Sequence, residues 1–349
     1  MISLAVKYRP TSFKDVTEQE SIKVILQQQL EGNEVKHAYL FCGGAGTGKT
    51  TCARIFAKEI NKGQGNPVEM DAASNSGVED VRNIIQQAKT KALDSEYKVF
   101  IIDECHAISL MGWQAFLKLL EEPPAKSIFI FCTTDPQKIP KTILSRVQRY
   151  DFQRISQQGI VDRLKYITDE EYKELYGTEP RQWTNFNIYA DALEYIAKIA
   201  DGGMRDAITL MDKALSYSKD LTLENVVKAL GTTNYDIMFN LTDSIVYSKS
   251  KNMLAIIEDI HAQGKDLKRF IKGYIQFLLD INKYALGCAW SQLSLPHLQE
   301  YEDKMTEWLK FNDLFTSLLN TIVALDNNMK YSTTPKYDIE AALLLYIEM

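Results

Sequence analysis

The residues Gly43-Gly44-Ala45-Gly46-Thr47-Gly48-Lys49-Thr50 match G-x-x-x-x-G-K-[ST] at every specified position, and no other stretch of the 349-residue chain restricts its fold as much. A loop that cradles a phosphate chain turns successive backbone N–H groups inward, which glycine permits because it has no Cβ. The motif also requires an apolar strand before it and a helix after it, so that the helix N-terminus faces the anion. Residues 39–42 (Tyr-Leu-Phe-Cys) read as that strand and residues 51–58 (Thr-Cys-Ala-Arg-Ile-Phe-Ala-Lys) as that helix. In such a site Lys49 reaches the β- and γ-phosphates and the Thr50 hydroxyl holds Mg²⁺. The pattern predicts a nucleoside-triphosphate site within an α/β domain.

Downstream, residues 68–71, 99–103 and 128–133 are short, largely apolar runs separated by helical stretches. That alternation predicts a parallel sheet covered by helices on both faces. A helix is expected near 21–30, with Ile22, Ile25, Leu26 and Leu30 on one face, and another over 113–121, stopped by Pro123-Pro124. Beyond about residue 153 the strand signal ends. Residues 192–200 and 204–215 are helical around Gly202-Gly203, and from about 235 the chain is helical throughout. Two apolar stripes there, Leu267, Phe270, Ile271, Tyr274, Ile275, Leu278, Ile281 and Phe311, Leu314, Phe315, Leu318, Leu319, Ile322, Val323, are helix-packing faces. With a break near 217–221, the expected division is an α/β domain at 1–153, a small helical unit at 154–220 and an all-α domain at 221–349.

Composition excludes several classes. No apolar run approaches the roughly 20 residues of a membrane span, and the first residues, Met1-Ile2-Ser3-Leu4-Ala5-Val6-Lys7, lack the layout of a signal peptide. The five cysteines (Cys42, Cys52, Cys105, Cys132, Cys288) are scattered, several within apolar runs, so buried reduced thiols are expected; without a C-x-x-C pair no zinc site is. These features point to the cytoplasm. The net charge of −6 argues against a basic coat for nucleic acid but is compatible with a local basic surface.

A second chemistry-bearing stretch is Val99-Phe100-Ile101-Ile102-Asp103-Glu104, an apolar strand ending in two carboxylates. Unpaired charge at the end of a buried strand is costly. With the phosphate loop upstream, the reading is Asp103 holding the Mg²⁺ water shell and Glu104 polarising an attacking water. Asp103-Glu104-Cys105-His106 also fits the D-E-x-H pattern of helicases, but those motors need a second parallel-sheet domain where this chain is helical. Arg146, in Ser145-Arg146-Val147, and Arg205, in Gly203-Met204-Arg205-Asp206, are candidates to stabilise the charge of a phosphoryl-transfer transition state.

Taken together, Lys7-Tyr8-Arg9-Pro10, His37-Ala38-Tyr39-Leu40-Phe41, the phosphate loop, Asp71-Ala72-Ala73-Ser74, Val78-Glu79-Asp80-Val81-Arg82, Asp103 to His106, Leu117-Lys118-Leu119-Leu120-Glu121-Glu122-Pro123-Pro124, Thr133-Thr134-Asp135-Pro136-Gln137-Lys138, Ser145-Arg146 and Gly203-Met204-Arg205-Asp206-Ala207 resemble the AAA+ clamp-loader ATPases, in their bacterial DNA polymerase III branch. The likeness is dense from about residue 5 to 232 and architectural beyond. It implies an AAA+ ATPase domain, a helical lid and an all-α collar that joins subunits into a hetero- or homo-oligomeric pentamer. It also implies ATP and Mg²⁺ as ligands, and a sliding clamp and primed template DNA as partners.

By motif, Tyr8, Arg9 and Val16 would lie at the adenine, and Gly43, Gly46, Thr47, Gly48, Lys49, Thr50 and Thr51 around the phosphates. Thr134 would be the polar sensor at its strand end. Met204 and Arg205 would approach from the lid in cis, and Arg146 would be the arginine finger that completes a neighbouring subunit's site. Arg82, Asn75 and Thr142 match positions that track template phosphates. Because Arg146 acts in trans, an isolated chain is expected to be a poor ATPase.

The chain departs from that family in places. Asn61-Lys62-Gly63-Gln64-Gly65-Asn66-Pro67 stands where a four-cysteine zinc module is usual, so no zinc is expected. Ser-Arg-Cys reads Ser-Arg-Val. An extra segment near 171–187, with Tyr176-Gly177 and Trp183, has no assigned role. With the family's long extension after the collar expected to be missing, a compact replisome such as a bacteriophage's is the expected home. Two other readings are another AAA+ DNA motor (a branch-migration helicase or a replication initiator) and a non-hydrolysing structural loader subunit. The former usually end in a winged-helix or helix-turn-helix DNA reader; the latter lose the phosphate-loop lysine, whereas Lys49 and Glu104 are both present.

Overall fold

The computed structural model describes residues 2–92, 94–176, 186–230 and 234–348, so Gly177 and Trp183 of the extra segment lie outside the described residues. The chain separates into two compact units, Met1–Trp183 with Ile196–Asp212, and Thr184–Tyr195 with Lys213–Met349. The strands are β1 (Ala38–Gly43), β2 (Val68–Asp71), β3 (Lys98–Asp103), β4 (Ser127–Thr133) and β5 (Gln148–Phe152). They form one sheet in the order β2-β3-β4-β1-β5, with every neighbouring pair parallel. The helices before residue 177 are α1 (Leu4–Lys7), α2 (Glu20–Glu31), α3 (Lys49–Ile60), α4 (Val78–Ala88), α5 (Leu110–Glu121), α6 (Lys141–Leu144) and α7 (Gln157–Tyr176).

Side chains alternate along each strand, which divides the apolar residues between two cores. Leu40, Cys42, Phe100, Ile102, Phe129 and Phe131 face one side with Val81 of α4 and Trp113 and Phe116 of α5. Tyr39, Phe41, Val99, Ile101, Ile128 and Ile130 face the other with Leu26 of α2 and Ile55 and Phe56 of α3. Each large apolar side chain so buried contributes roughly 1.5–3 kcal/mol. Because β4 lies between β1 and β3, the C-terminal ends of these three strands are adjacent, where parallel α/β sheets place their ligands.

Two local details depart from the pattern reading. β5 gives no apolar run, because on this edge strand only Tyr150 and Phe152 are buried while Arg149 and Asp151 point outward. In α2, Ile25 is 41% exposed and Lys23 is buried in its stead. The reason is polar: Lys23 Nζ donates to the Val16 carbonyl at 3.0 Å and to Glu20 at 2.6 Å, so the helix rolls its lysine toward the loop before it.

After β5 the described residues are helical, with α8 (Phe186–Ile199), α9 (Met204–Tyr217), α10 (Leu223–Leu230), α11 (Asn234–Val246), α12 (Ser250–Ala262), α13 (Leu267–Ala285), α14 (Gln299–Trp308), α15 (Asn312–Met329) and α16 (Pro335–Glu348). In the second unit the apolar stripes of α13 and α15 pack into one core. At its centre Phe239 lies between Tyr301 and Trp308, at 4.5 and 5.3 Å between ring centroids. Val323, at the end of the second stripe, is 41% exposed. The buried Asp280 accepts from the backbone N–H groups of Ser294 (2.8 Å) and Leu295 (3.2 Å), which ties α13 to the segment before α14.

Candidate nucleotide-binding site

In the first unit a cleft of about 300 Å³ opens over the phosphate loop. Gly46 and Gly48 have φ of +70° and +99°, a region that other residues rarely enter. Gly46 also permits a close approach: a Cβ on it would stand 2.9 Å from the Cα of Gly203, and its carbonyl accepts from Met204 N–H at 3.0 Å. The first turn of α9, carrying Met204 and Arg205, is thereby held against the loop. Its N–H groups and the Arg205 guanidinium are suited to an anion there.

Lys49 is buried, and its ammonium donates to the carbonyls of Gly43 (2.9 Å) and Gly44 (2.7 Å). Burial pulls its pKa below the ordinary lysine value, opposed by the fields of Glu104 and Asp103 among others. Thr47 closes the loop by donating to Gly44 O at 2.9 Å. Thr50 donates to Asp103 Oδ2 at 2.8 Å, so the two expected Mg²⁺ groups are in contact. Asp103 Oδ1 in turn accepts from the Glu104 N–H at 3.0 Å.

Glu104 has left-handed backbone angles (φ 45°, ψ 43°). A non-glycine residue held there is strained, a cost that recurs where function requires a side chain to be aimed. Its Oε2 accepts from Thr134 Oγ1 at 3.0 Å, and His106 Nδ1 stands 3.3 Å from the same oxygen. Thr134 reaches Glu104 because it follows β4, the strand inserted between the phosphate-loop strand and the carboxylate strand.

Tyr8, Arg9, Val16, Thr17, Ile155 and Arg163 also line the cleft. Arg163 on α7 donates to the Tyr8 carbonyl at 2.8 Å and stacks its guanidinium over Tyr166 at 5.0 Å. Tyr8 meets Tyr166 edge-to-face at 6.5 Å. Arg163, Thr17, Ile155 and Asp206 line the cleft without having been singled out in the sequence. Of these only Asp206 stands within a quoted motif, and Arg163 reaches the site only because α7 returns across residues that precede it by more than a hundred positions.

Gly46, Thr47, Gly48, Lys49, Thr50, Thr51, Asp103, Glu104, Met204 and Arg205 line the cleft together with Tyr8, Arg9 and Val16, while Gly43 and Thr134 support it from behind. Arg146 does not line it: it follows α6, donates to Thr142 O at 2.7 Å and pairs with Glu121 at 2.6 Å. Asn75, Arg82 and Thr142 are exposed on separate elements; Arg82 stands 3.5 Å from Glu79, and Asn75 donates to Asp71 O.

Comparison with known proteins places these residues in context. Residues 68–156 match the family described as DNA polymerase III, delta subunit, and residues 184–220 match the DNA polymerase III clamp loader subunit, ATPase lid domain. The chain is 35% identical over 360 residues to DNA polymerase III subunit tau of Bacillus subtilis (strain 168), covering 97% of this chain and 62% of that one. It is 34% identical over 283 residues to the subunit tau of Escherichia coli (strain K12), covering 75% of this chain and 42% of that relative. It therefore spans only part of the length of these curated relatives. Among solved structures, the Thermotoga maritima RuvB Holliday junction branch migration motor superposes with a TM-score of 0.52, over 74% of this chain and 86% of that one. At 20% identity that likeness establishes a shared fold alone.

Proposed function

We propose, from its similarity to the tau subunits of DNA polymerase III, that this chain is the ATP-hydrolysing motor subunit of a sliding-clamp loader. The observation that carries this is the convergence of Lys49, Thr50, Asp103, Glu104 and Thr134 at the ends of three adjacent strands, under the first turn of α9. A structural subunit would have no use for a strained Glu104 aimed beside a buried Lys49.

The residues present fit the nucleotide and the metal. At Gly46 a Cβ would collide with the backbone of Gly203 and Arg205, so no side chain fits there, and a glycine-rich loop leaves its backbone N–H groups free to face phosphate. Thr50 and Asp103 supply the hard oxygen donors that Mg²⁺ prefers. When bound, Mg²⁺ neutralises phosphate charge. Lys49, with Gly46 to Thr51, orients the triphosphate. Glu104 orients an attacking water and accepts its proton, and Thr134 holds the Glu104 carboxylate at its working angle. Arg205 contacts the γ-phosphate in cis; Arg146, outside its own chain's cleft, serves the neighbouring subunit's site. Tyr8, Arg9 and Val16 enclose the adenine.

In this reading residues 1–153 are the ATPase domain, 154–220 the lid and 221–349 the collar of a pentamer with other loader subunits. Asn75, Arg82 and Thr142 contact template phosphates without reading sequence. Zinc has no part in it. No helix among the described residues is long and apolar enough to cross a membrane, and the reading places the protein in the cytoplasm. ATP binding closes the assembly around a sliding clamp and primed DNA, and hydrolysis releases both. The test is Lys49→Ala as the sole motor subunit of a reconstituted loader. Clamp loading should fall roughly a hundredfold or more; normal loading would overturn the proposal.

A further inference from the structure

Val16 and Thr17 on one side and Met204 and Arg205 on the other, all lining the cleft, are linked by a set of bonds that runs through residues 153–156. Glu18 and Gln19 are consecutive non-glycine residues with positive φ, 56° and 61°, a conformation that must be held by its surroundings. What they hold is specific. The buried Gln19 amide donates to Gln153 O at 2.7 Å and accepts from Gln153 N–H at 3.2 Å, copying a strand's pair of bonds with a side chain. The Glu18 carboxylate accepts from the Ser156 N–H at 3.2 Å and from its hydroxyl, while Ser156 Oγ caps α7 by accepting from Gly159 N–H at 3.0 Å. The anion sits at the start of a 20-residue helix, where its charge is favoured.

Between them, residues 154 and 155 hold the segment that carries Arg205. Ile155 N–H donates to Gly202 O at 3.2 Å, and Arg154 pairs with Asp201. Gly202 lies so close that a Cβ on it would stand 2.6 Å from the Cβ of Arg154. From there Met204 N–H reaches Gly46 O in the phosphate loop. Val16 and Thr17, which line the cleft, immediately precede Glu18, and Val16 is itself held through its carbonyl by Lys23.

We propose that Gln19 and Glu18 are positioning residues for Arg205: through residues 153–156 they set where that guanidinium stands over the triphosphate. The inference rests on the reading of the cleft as an ATP site with Arg205 at the γ-phosphate. Its consequence is that discrimination between ATP and ADP depends on two side chains that do not themselves line the cleft.

The test uses the full chain, titrated with fluorescent ATP and ADP analogues, in wild type, Gln19→Ala, Glu18→Gly, Arg205→Ala and the Gln19→Ala/Arg205→Ala double variant. Glycine suits the positive φ at position 18, so Glu18→Gly loses the carboxylate without backbone strain and carries the test if Gln19→Ala does not fold. The preference for ATP over ADP should fall roughly fivefold or more in Gln19→Ala and in Glu18→Gly, with no further fall when Arg205→Ala is added. Equal weakening of ATP and ADP in both variants would overturn the proposal, as would effects of Gln19→Ala and Arg205→Ala that simply multiply. A wild-type chain that binds neither nucleotide, or an Arg205→Ala chain with unaltered preference, would remove the reading of the cleft and the proposal with it. An unaltered preference in Gln19→Ala and Glu18→Gly alone would remove only the proposal.

Discussion

In the α/β unit, Thr50, Asp103, Glu104 and Thr134 bond to one another at strand ends around an open cleft. In the helical unit, Asp280, Thr242 and Trp308 are satisfied as completely, through Ser294 and Leu295 N–H, Tyr274 and Asp243, yet all three are enclosed in the core. Both sets are hydrogen-bonded, the first half-buried at the cleft and the second fully buried. The difference lies in what removal should cost. At the strand ends, bonds aim groups at a ligand, so their loss should fall on catalysis; in the helical core they join elements, so their loss should fall on stability.

Arg146 is expected to show the largest catalytic effect and the sharpest dependence on assembly. Arg146→Ala should lower ATP turnover in the assembled loader by about 10³-fold and leave the isolated chain nearly unchanged. Parallel steady-state assays of both forms check this, and equal losses in both would place the arginine's role within its own chain. Next in size, Glu104→Gln should lower kcat by roughly 10²-fold or more while nucleotide affinity is kept. A matching loss of affinity would mean that Glu104 serves binding rather than water activation.

In the helical unit, Asp280→Ala should cost about 1–3 kcal/mol by orphaning two backbone donors, read by denaturant unfolding, with ATP affinity unchanged. Burial raises the Asp280 carboxyl pKa. Its contribution to stability is therefore complete below the ordinary carboxylate pKa and declines as pH rises through the raised value. Asp280→Asn should lack that decline. A loss of nucleotide affinity in either variant would break the division between the two units.

The contrast also explains what was legible in the sequence. The phosphate loop, Asp103-Glu104 and the strands around them are local signals, because a parallel sheet writes its buried strands as apolar runs and its site at their ends. The stripes of α13 and α15 were legible for the same reason, being periodic. The rest depends on residues distant in the chain. β5 was hidden because an edge strand needs to bury only Tyr150 and Phe152. Ile25 was misplaced because the Val16 carbonyl, a tertiary partner, recruits Lys23 to the buried side. Arg163, Glu18 and Gln19 carry no motif at all; their roles arise from contacts with Tyr8, Ser156 and Gln153 that only the folded chain creates.

Whether this cleft drives clamp loading is decided by steady-state ATP hydrolysis of the chain with its loader subunits. It would be measured without additions, with sliding clamp, with primed DNA, and with both. Weak turnover is expected in the first three conditions and strong stimulation only when clamp and primed DNA are present together. Equal activity with any DNA and no dependence on the clamp would contradict that expectation and mark a DNA motor of another kind.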